Sequence, residues 1–153
     1  MLFVCLGNIC RSPTAEGVLR QLAAESAPAL DLEIDSAGTG DYHIGSAPDR
    51  RSQRAAMRRG IDLSGLRARQ VALPDFEHFD LILAMDRSNL RLLQSLRPSG
   101  SHAQLELFLK YAGNLTDLEV PDPYFGGEDG FERVLDLVTL ASRGLIAALQ
   151  KRA

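Results

Sequence analysis

Apolar and polar positions alternate along this chain in a way that switches repeatedly between strand and helix periods. Met1-Leu2-Phe3-Val4 is a short apolar run and reads as a buried strand. A helix follows from about Ser12 to Glu25, with Val18, Leu19, Leu22 and Ala23 on one face. Ser12 stands where a capping hydroxyl belongs, Pro13 at the first helical position and Glu16 in the first turn. Ala27-Pro28 ends the helix. Leu30 to Ser36 alternates and predicts a second strand, followed by the turn-rich stretch Ala37-Gly38-Thr39-Gly40-Asp41.

Pro48-Asp49 opens a second helix that runs to about Arg59 and stops at Gly60. Arg67 to Val71 predicts a short extended piece leading to Pro74. Asp80-Leu81-Ile82-Leu83-Ala84-Met85 is apolar after its first residue, as a strand buried on both faces is. Asp86 caps a third helix over Arg87 to Leu96. Ala103 to Phe108 alternates as a fourth strand, a loop spans about Gly113 to Gly130, and a last helix runs from Phe131 to about Lys151. Strands alternating with helices predict a single α/β domain over 1–153: a four-stranded, mostly parallel sheet with helices on both faces. Ligands bind such sheets beyond the carboxyl ends of the strands.

The segment at the first of those ends carries the chemistry: Cys5-Leu6-Gly7-Asn8-Ile9-Cys10-Arg11-Ser12. A loop that joins a strand end to a helix N-terminus points backbone N–H groups and the positive helix end at one spot. Such a nest favours an anion and stabilises thiolate over thiol. Arg11, six residues after Cys5, offers a planar fork for two phosphate oxygens. The loop therefore predicts a phosphate-binding site with a nucleophile beneath it.

A second element lies far downstream in Val120-Pro121-Asp122-Pro123-Tyr124-Phe125. Two prolines restrict the backbone around Asp122. Phosphoryl transfer through cysteine needs an acid for the leaving group, then a base for water, and one carboxyl can serve both steps.

Net charge is −3, which gives no footing for general nucleic-acid binding. The charge is uneven, with Arg50, Arg51, Arg54, Arg58, Arg59, Arg67 and Arg69 in the middle and acidic residues in the last third. Solvated helix faces and a basic rim for anionic substrates both fit that pattern. The two cysteines form neither a disulfide framework nor a zinc motif, and no apolar run reaches membrane-spanning length. Met1 leads straight into the first strand, so the expected location is cytoplasmic, a leaderless export route leaving no readable mark. No cofactor or metal is expected: His43, His78 and His102 are scattered, and His43 is assigned no catalytic role.

V-C-L-G-N-I-C-R-S-P, D-S-A-G-T, A-M-D and D-P-Y occur in that order across nearly the whole chain, which resembles the low-molecular-weight protein tyrosine phosphatases. The resemblance implies hydrolysis of phosphotyrosine through a cysteinyl-phosphate, with Cys5 as nucleophile, Arg11 as clamp and Asp122 as general acid and base. It implies a phosphate loop of Leu6, Gly7, Asn8, Ile9 and Cys10. In it, Ser12 donates to the Cys5 thiolate, Asn8 holds the backbone through a network with Ser36, and Asp86 orients Arg11 besides capping its helix. Tyr42, Tyr124 and Phe125 would line the cleft. Cys10 fits a reversible disulfide with Cys5 under peroxide. Many relatives carry a His where Leu66 stands, which puts the network around Asn8 in question. Ile9, where arginine phosphatases of this kind carry Thr, favours phosphotyrosine. The implied partner is a phosphotyrosine protein, a bacterial tyrosine kinase or a host protein among the candidates, met by a monomer without nucleic acid or membrane insertion. The rival readings are an arsenate reductase, a protein-arginine phosphatase, a thiol redox protein and a non-catalytic phosphopeptide-binding module. The first would need cysteines downstream of Cys10, and there are none.

Overall fold

A computed structural model describes residues 1–152. Four parallel strands, β1 (Leu2–Cys5), β2 (Asp35–Gly38), β3 (Leu81–Ala84) and β4 (Gln104–Leu107), form one sheet in the order β2-β1-β3-β4. The helices are α1 (Arg11–Ser26), α2 (Arg50–Met57), α3 (Asp75–His78), α4 (Arg87–Leu96) and α5 (Glu128–Arg152). A 3-10 turn at Phe108–Tyr111 follows β4. No helix among the described residues is long and apolar enough to cross a membrane.

Side chains on the central strands alternate between two cores, as a pleated backbone requires. Phe3, Cys5, Leu81 and Leu83 pack with α1, α2 and α5, and Phe3 meets Phe108 edge to face at 4.8 Å. Leu2, Val4, Ile82 and Ala84 pack on the opposite face with Phe76, Phe79 and Leu93 from α3 and its end and from α4. Both interior strands are therefore fully buried, which explains their unbroken apolar runs.

Four expectations need correction. The second strand is not Leu30 to Ser36 but Asp35–Gly38, whose register pairs Asp35 with Leu2 and Gly38 with Cys5. Leu30 and Leu32 instead pack half-buried against the larger core. Ser12 is not the helix cap: α1 starts at Arg11 with Cys10 before it, and no side chain caps that end. The Ser12 hydroxyl is committed to partners in the loop. The second helix ends at Met57 rather than about Arg59, and the arginines on it and on the turn after it are neither simply solvated nor a free rim. Arg54 pairs with Glu128, Arg58 with Glu132, and Arg59 with Glu132 and Asp136, tying α2 to α5. Asp86 caps α4 as expected, accepting from the Asn89 amide at 2.8 Å in a capping box.

Candidate active site

β1 runs from the middle of the sheet directly into the Cys5 loop. The chain leaves β1 for β2 on one side and later returns to β3 on the other, so the loop sits at a topological switch point. The loop packs closely on β2: a Cβ at Gly38 would lie 2.7 Å from the Leu6 carbonyl oxygen, which only glycine avoids. Asn8 adopts φ +57°, the sole non-glycine residue with positive φ among those described, and Asn tolerates that region better than most.

The Cys5 sulfur is buried and receives the Asn8 amide at 3.3 Å, with Ser12 Oγ 3.0 Å away. Asn8 Nδ2 donates to Ser12 Oγ at 2.8 Å and to Ser36 Oγ at 3.0 Å. Its Oδ1 accepts from the Arg69 amide at 3.0 Å. Ser36 Oγ donates onward to Glu16 at 2.7 Å. Glu16 is only 3% exposed and pairs with Arg20 at 2.9 Å. The Asn8 side chain is thus satisfied on both its amide groups without any residue at 66, and Leu66 packs against the core. The sequence assigns Arg20 no role, and marks Glu16 and Arg69 only as a helix-start acid and one of the clustered arginines. Glu16 looks there like an ordinary first-turn acid, and the Arg69 contact is made by backbone.

Arg11 is 3% exposed, and Nη1 donates to Asp86 at 2.7 Å and to the Val120 carbonyl at 3.1 Å. Burial opposes its charge, but Cys5 and then Asp86 and Asp122 outweigh that, so its pKa is raised. Its Nη2 lies 3.7 Å from Asp122 Oδ2. The Asp122 side chain is 42% exposed. Its Oδ1 accepts from the Tyr124 amide at 3.1 Å, which fixes one oxygen and leaves the other toward Arg11. Burial pushes the Cys10 thiol up to about 12, so it stays protonated at neutral pH.

A cavity of about 150 Å³ joins these parts. Its floor is Cys5, Leu6, Gly7, Ile9, Cys10 and Arg11, and its walls are Tyr42, His43, Asp122, Tyr124 and Phe125. Tyr42 is 73% and Phe125 94% exposed, so the mouth is aromatic and open. His43 stands on the loop, with its ring close enough to crowd a Cβ at Gly7 (3.0 Å) and 6.3 Å from the Tyr124 ring. The structure therefore brings Cys5, Arg11 and Asp122 to one cavity from positions up to 117 residues apart (122 minus 5). Ser12, Ser36 and Asp86 lie behind it.

A family model described as low molecular weight phosphotyrosine protein phosphatase matches residues 1–153. A low molecular weight protein-tyrosine-phosphatase of Bacillus subtilis is 41% identical over 151 residues, covering 99% of this chain and 96% of its own. Among solved structures, a protein tyrosine phosphatase from Entamoeba histolytica superposes with a TM-score of 0.92 at 39% identity, over 98% of this chain and 96% of that one. An arginine phosphatase of Drosophila superposes with a TM-score of 0.91 at 32% identity, over 97% and 96% of the two chains.

Proposed function

Because the chain belongs to the low molecular weight phosphotyrosine protein phosphatase family, we propose that it hydrolyses phosphotyrosine in proteins through a cysteinyl-phosphate. The observation that carries this reading is the convergence of Cys5, Arg11 and Asp122 on one cavity with an aromatic mouth. The phosphoryl group seats in the loop, where Arg11, already held by Asp86 and Val120, bridges two of its oxygens. The Cys5 thiolate attacks phosphorus and the bond to the tyrosyl oxygen breaks. Asp122 gives its proton to that oxygen, and tyrosine leaves. A water molecule then attacks phosphorus, passing a proton to the Asp122 carboxylate. The phosphorus–sulfur bond breaks, and Cys5 departs as thiolate, stabilised by Ser12 and the Asn8 amide. All of these groups belong to one chain, so a monomer suffices.

Ile9 floors the cavity with an aliphatic side chain that neither donates nor accepts a hydrogen bond. A flat aryl ester gains from that apolar contact, and a phosphoguanidinium, rich in N–H groups, gains nothing. Oxidation of Cys5 by peroxide to a sulfenic acid, followed by attack of Cys10 sulfur with loss of water, would give the protective disulfide.

The test is hydrolysis of p-nitrophenyl phosphate without added metal by wild type, Cys5→Ser and Asp122→Ala. Turnover should vanish in Cys5→Ser and fall by roughly a hundred-fold or more in Asp122→Ala, chiefly because the second step loses its base for water. Undiminished turnover in Cys5→Ser would rule the mechanism out, and faster turnover of phosphoarginine than of phosphotyrosine peptides would move the substrate to the arginine branch.

A further inference from the structure

The Asp122 loop is lightly tied to the rest of the molecule. On its upstream side the Val120 amide donates to Met85 at 2.8 Å and its carbonyl accepts from Arg11. Beyond that point two of the hydrogen bonds are internal, Gly126 to Pro123 and Tyr124 to Asp122. Among the described residues, the hydrogen bonds that reach segment 122–126 from elsewhere come from one side chain, Arg51 on α2. Its Nη2 donates to the Tyr124 carbonyl at 2.9 Å, and Nη1 approaches the Gly126 carbonyl at 3.5 Å. The guanidinium also lies 5.5 Å from the Tyr124 ring and 4.7 Å from the Phe131 ring, within cation–π range of both.

Arg51 is itself held from the other side. Asp49 accepts from its Nε at 3.1 Å and its Nη2 at 2.9 Å, a bidentate pair. The Asp49 amide donates to the Ile9 carbonyl, inside the phosphate loop, at 2.9 Å. A continuous path therefore runs from the phosphate loop through Asp49 and Arg51 to Tyr124 and so to Asp122. Arg51 does not line the cavity. It stands between the two loops, bonded to Asp49 on one side and to the Tyr124 carbonyl on the other.

We propose that Arg51 is a positioning residue for Asp122, fixing the acid loop at the height above the phosphate loop from which proton transfer succeeds. This rests on reading Asp122 as the general acid. An acid must come within hydrogen-bond reach of the leaving oxygen. A displacement of about 1 Å can cost about a hundred-fold in rate. Pro121 and Pro123 stiffen the backbone beside Asp122, but they do not set the height of the exposed segment over the phosphate loop, and the hydrogen bonds that reach it across the cleft come from Arg51.

The experiment compares kcat/KM of wild type, Arg51→Ala, Asp122→Ala and the double variant on two esters. p-Nitrophenyl phosphate has a leaving group that needs little protonation, and phenyl phosphate has one that needs much. Arg51→Ala should lose about tenfold on phenyl phosphate and clearly less on p-nitrophenyl phosphate, the pattern of a misplaced acid. In the Asp122→Ala background, adding Arg51→Ala should change neither value beyond about twofold, since no acid remains to misplace. Inorganic phosphate should inhibit wild type and Arg51→Ala equally, because it binds in the loop on Arg11. Should Arg51→Ala fold poorly, Arg51→Lys carries the same comparison. It keeps a charge beside Asp49 without the fork and should show a smaller loss with the same leaving-group bias. An equal loss on both esters, a loss that persists without Asp122, or weakened phosphate inhibition would overturn the role. If Asp122→Ala alone shows no leaving-group bias, the acid assignment itself fails, which is a separate and visible result.

Discussion

Asn8 combines a left-handed backbone with three side-chain hydrogen bonds, and the direction of those bonds follows from what each partner can do. Glu16, as a carboxylate, only accepts. Ser36 must therefore donate to it and receive Asn8 Nδ2 on its oxygen. Ser12 likewise receives Nδ2, so its own hydrogen points either to the Cys5 sulfur at 3.0 Å or to the Ala37 carbonyl at 3.4 Å, and a thiolate is the stronger acceptor of the two. Asn8→Ala should lower kcat at least tenfold, since the second step needs a stabilised thiolate, and cost about 1–3 kcal/mol of stability from strain and unpaired groups. Asn8→Gly separates the causes: it relieves φ +57° but restores no hydrogen bond. Urea midpoints should recover in part in the glycine variant, by the share that strain contributed, and kcat should not; full recovery of both would show that backbone strain was the whole effect. The sequence displays Asn8, Ser12 and Ser36 because side chains carry those contacts. It hides the Arg69 contribution, since any non-proline residue there offers the same N–H, and so Leu66 looks more damaging than it is.

At the scale of elements, the α2–α5 seam was legible as charge but not as pairing. Residues some 74 apart meet there, and nothing local in either helix announces the other. Periodicity located β3, α4 and α5 well because each buries a full face or carries its own cap. It misplaced β2, where the alternation of Leu30 to Ser36 reflects packing on a helix layer and the ladder pairs Asp35 to Gly38 with β1. The seam makes a prediction about acid. Burial raises the Glu132 carboxyl, but hydrogen bonds from Arg58 and Arg59 outweigh it and hold it below the ordinary 4.5. Asp49 is lowered from 3.8 chiefly by its hydrogen bond to Arg51. A carboxyl depressed in the folded state adds stability above its unfolded value and loses it as pH falls through the folded one. Glu132→Gln should therefore lower Tm at pH 7, by the equivalent of about 0.5–1 kcal/mol for exposed pairs, and the gap to wild type should narrow as pH falls from 4.5 through the depressed folded value. The gap should also shrink in 1 M salt. A gap that stays constant as the carboxyl is protonated would mean that packing, not charge, joins the two helices.

The whole molecule places the buried Arg11 and the Cys5 loop at the point where the sheet's connections diverge, so on the proposed reading of that loop as the phosphate site, anion binding and folding are linked. Arg11 is buried, with Asp86 2.7 Å and Asp122 3.7 Å from its guanidinium nitrogens. The unfolded chain has no such site, because Cys5, Asp86 and Asp122 come together only when β1 and β3 pair and Val120 docks on Met85. A ligand confined to the native state stabilises it by about 2.7 kcal/mol at a hundred times its Kd. For a chain of this length that corresponds to a rise in Tm of roughly 5–11 °C. Inorganic phosphate should produce this rise in wild type and in Cys5→Ser, since neither bond making nor the thiolate is required for it. Arg11→Ala should abolish it, although the same substitution also leaves Asp86 buried without its partner and lowers the starting Tm. The comparison is therefore of slopes against phosphate concentration, with sulfate as a second tetrahedral anion and chloride at equal ionic strength as the control. Equal slopes for phosphate and chloride would place the stabilisation in general screening of the surface arginines. A phosphate slope that survives in Arg11→Ala would show that the loop amides alone hold the anion and that the clamp matters only once a leaving group is present.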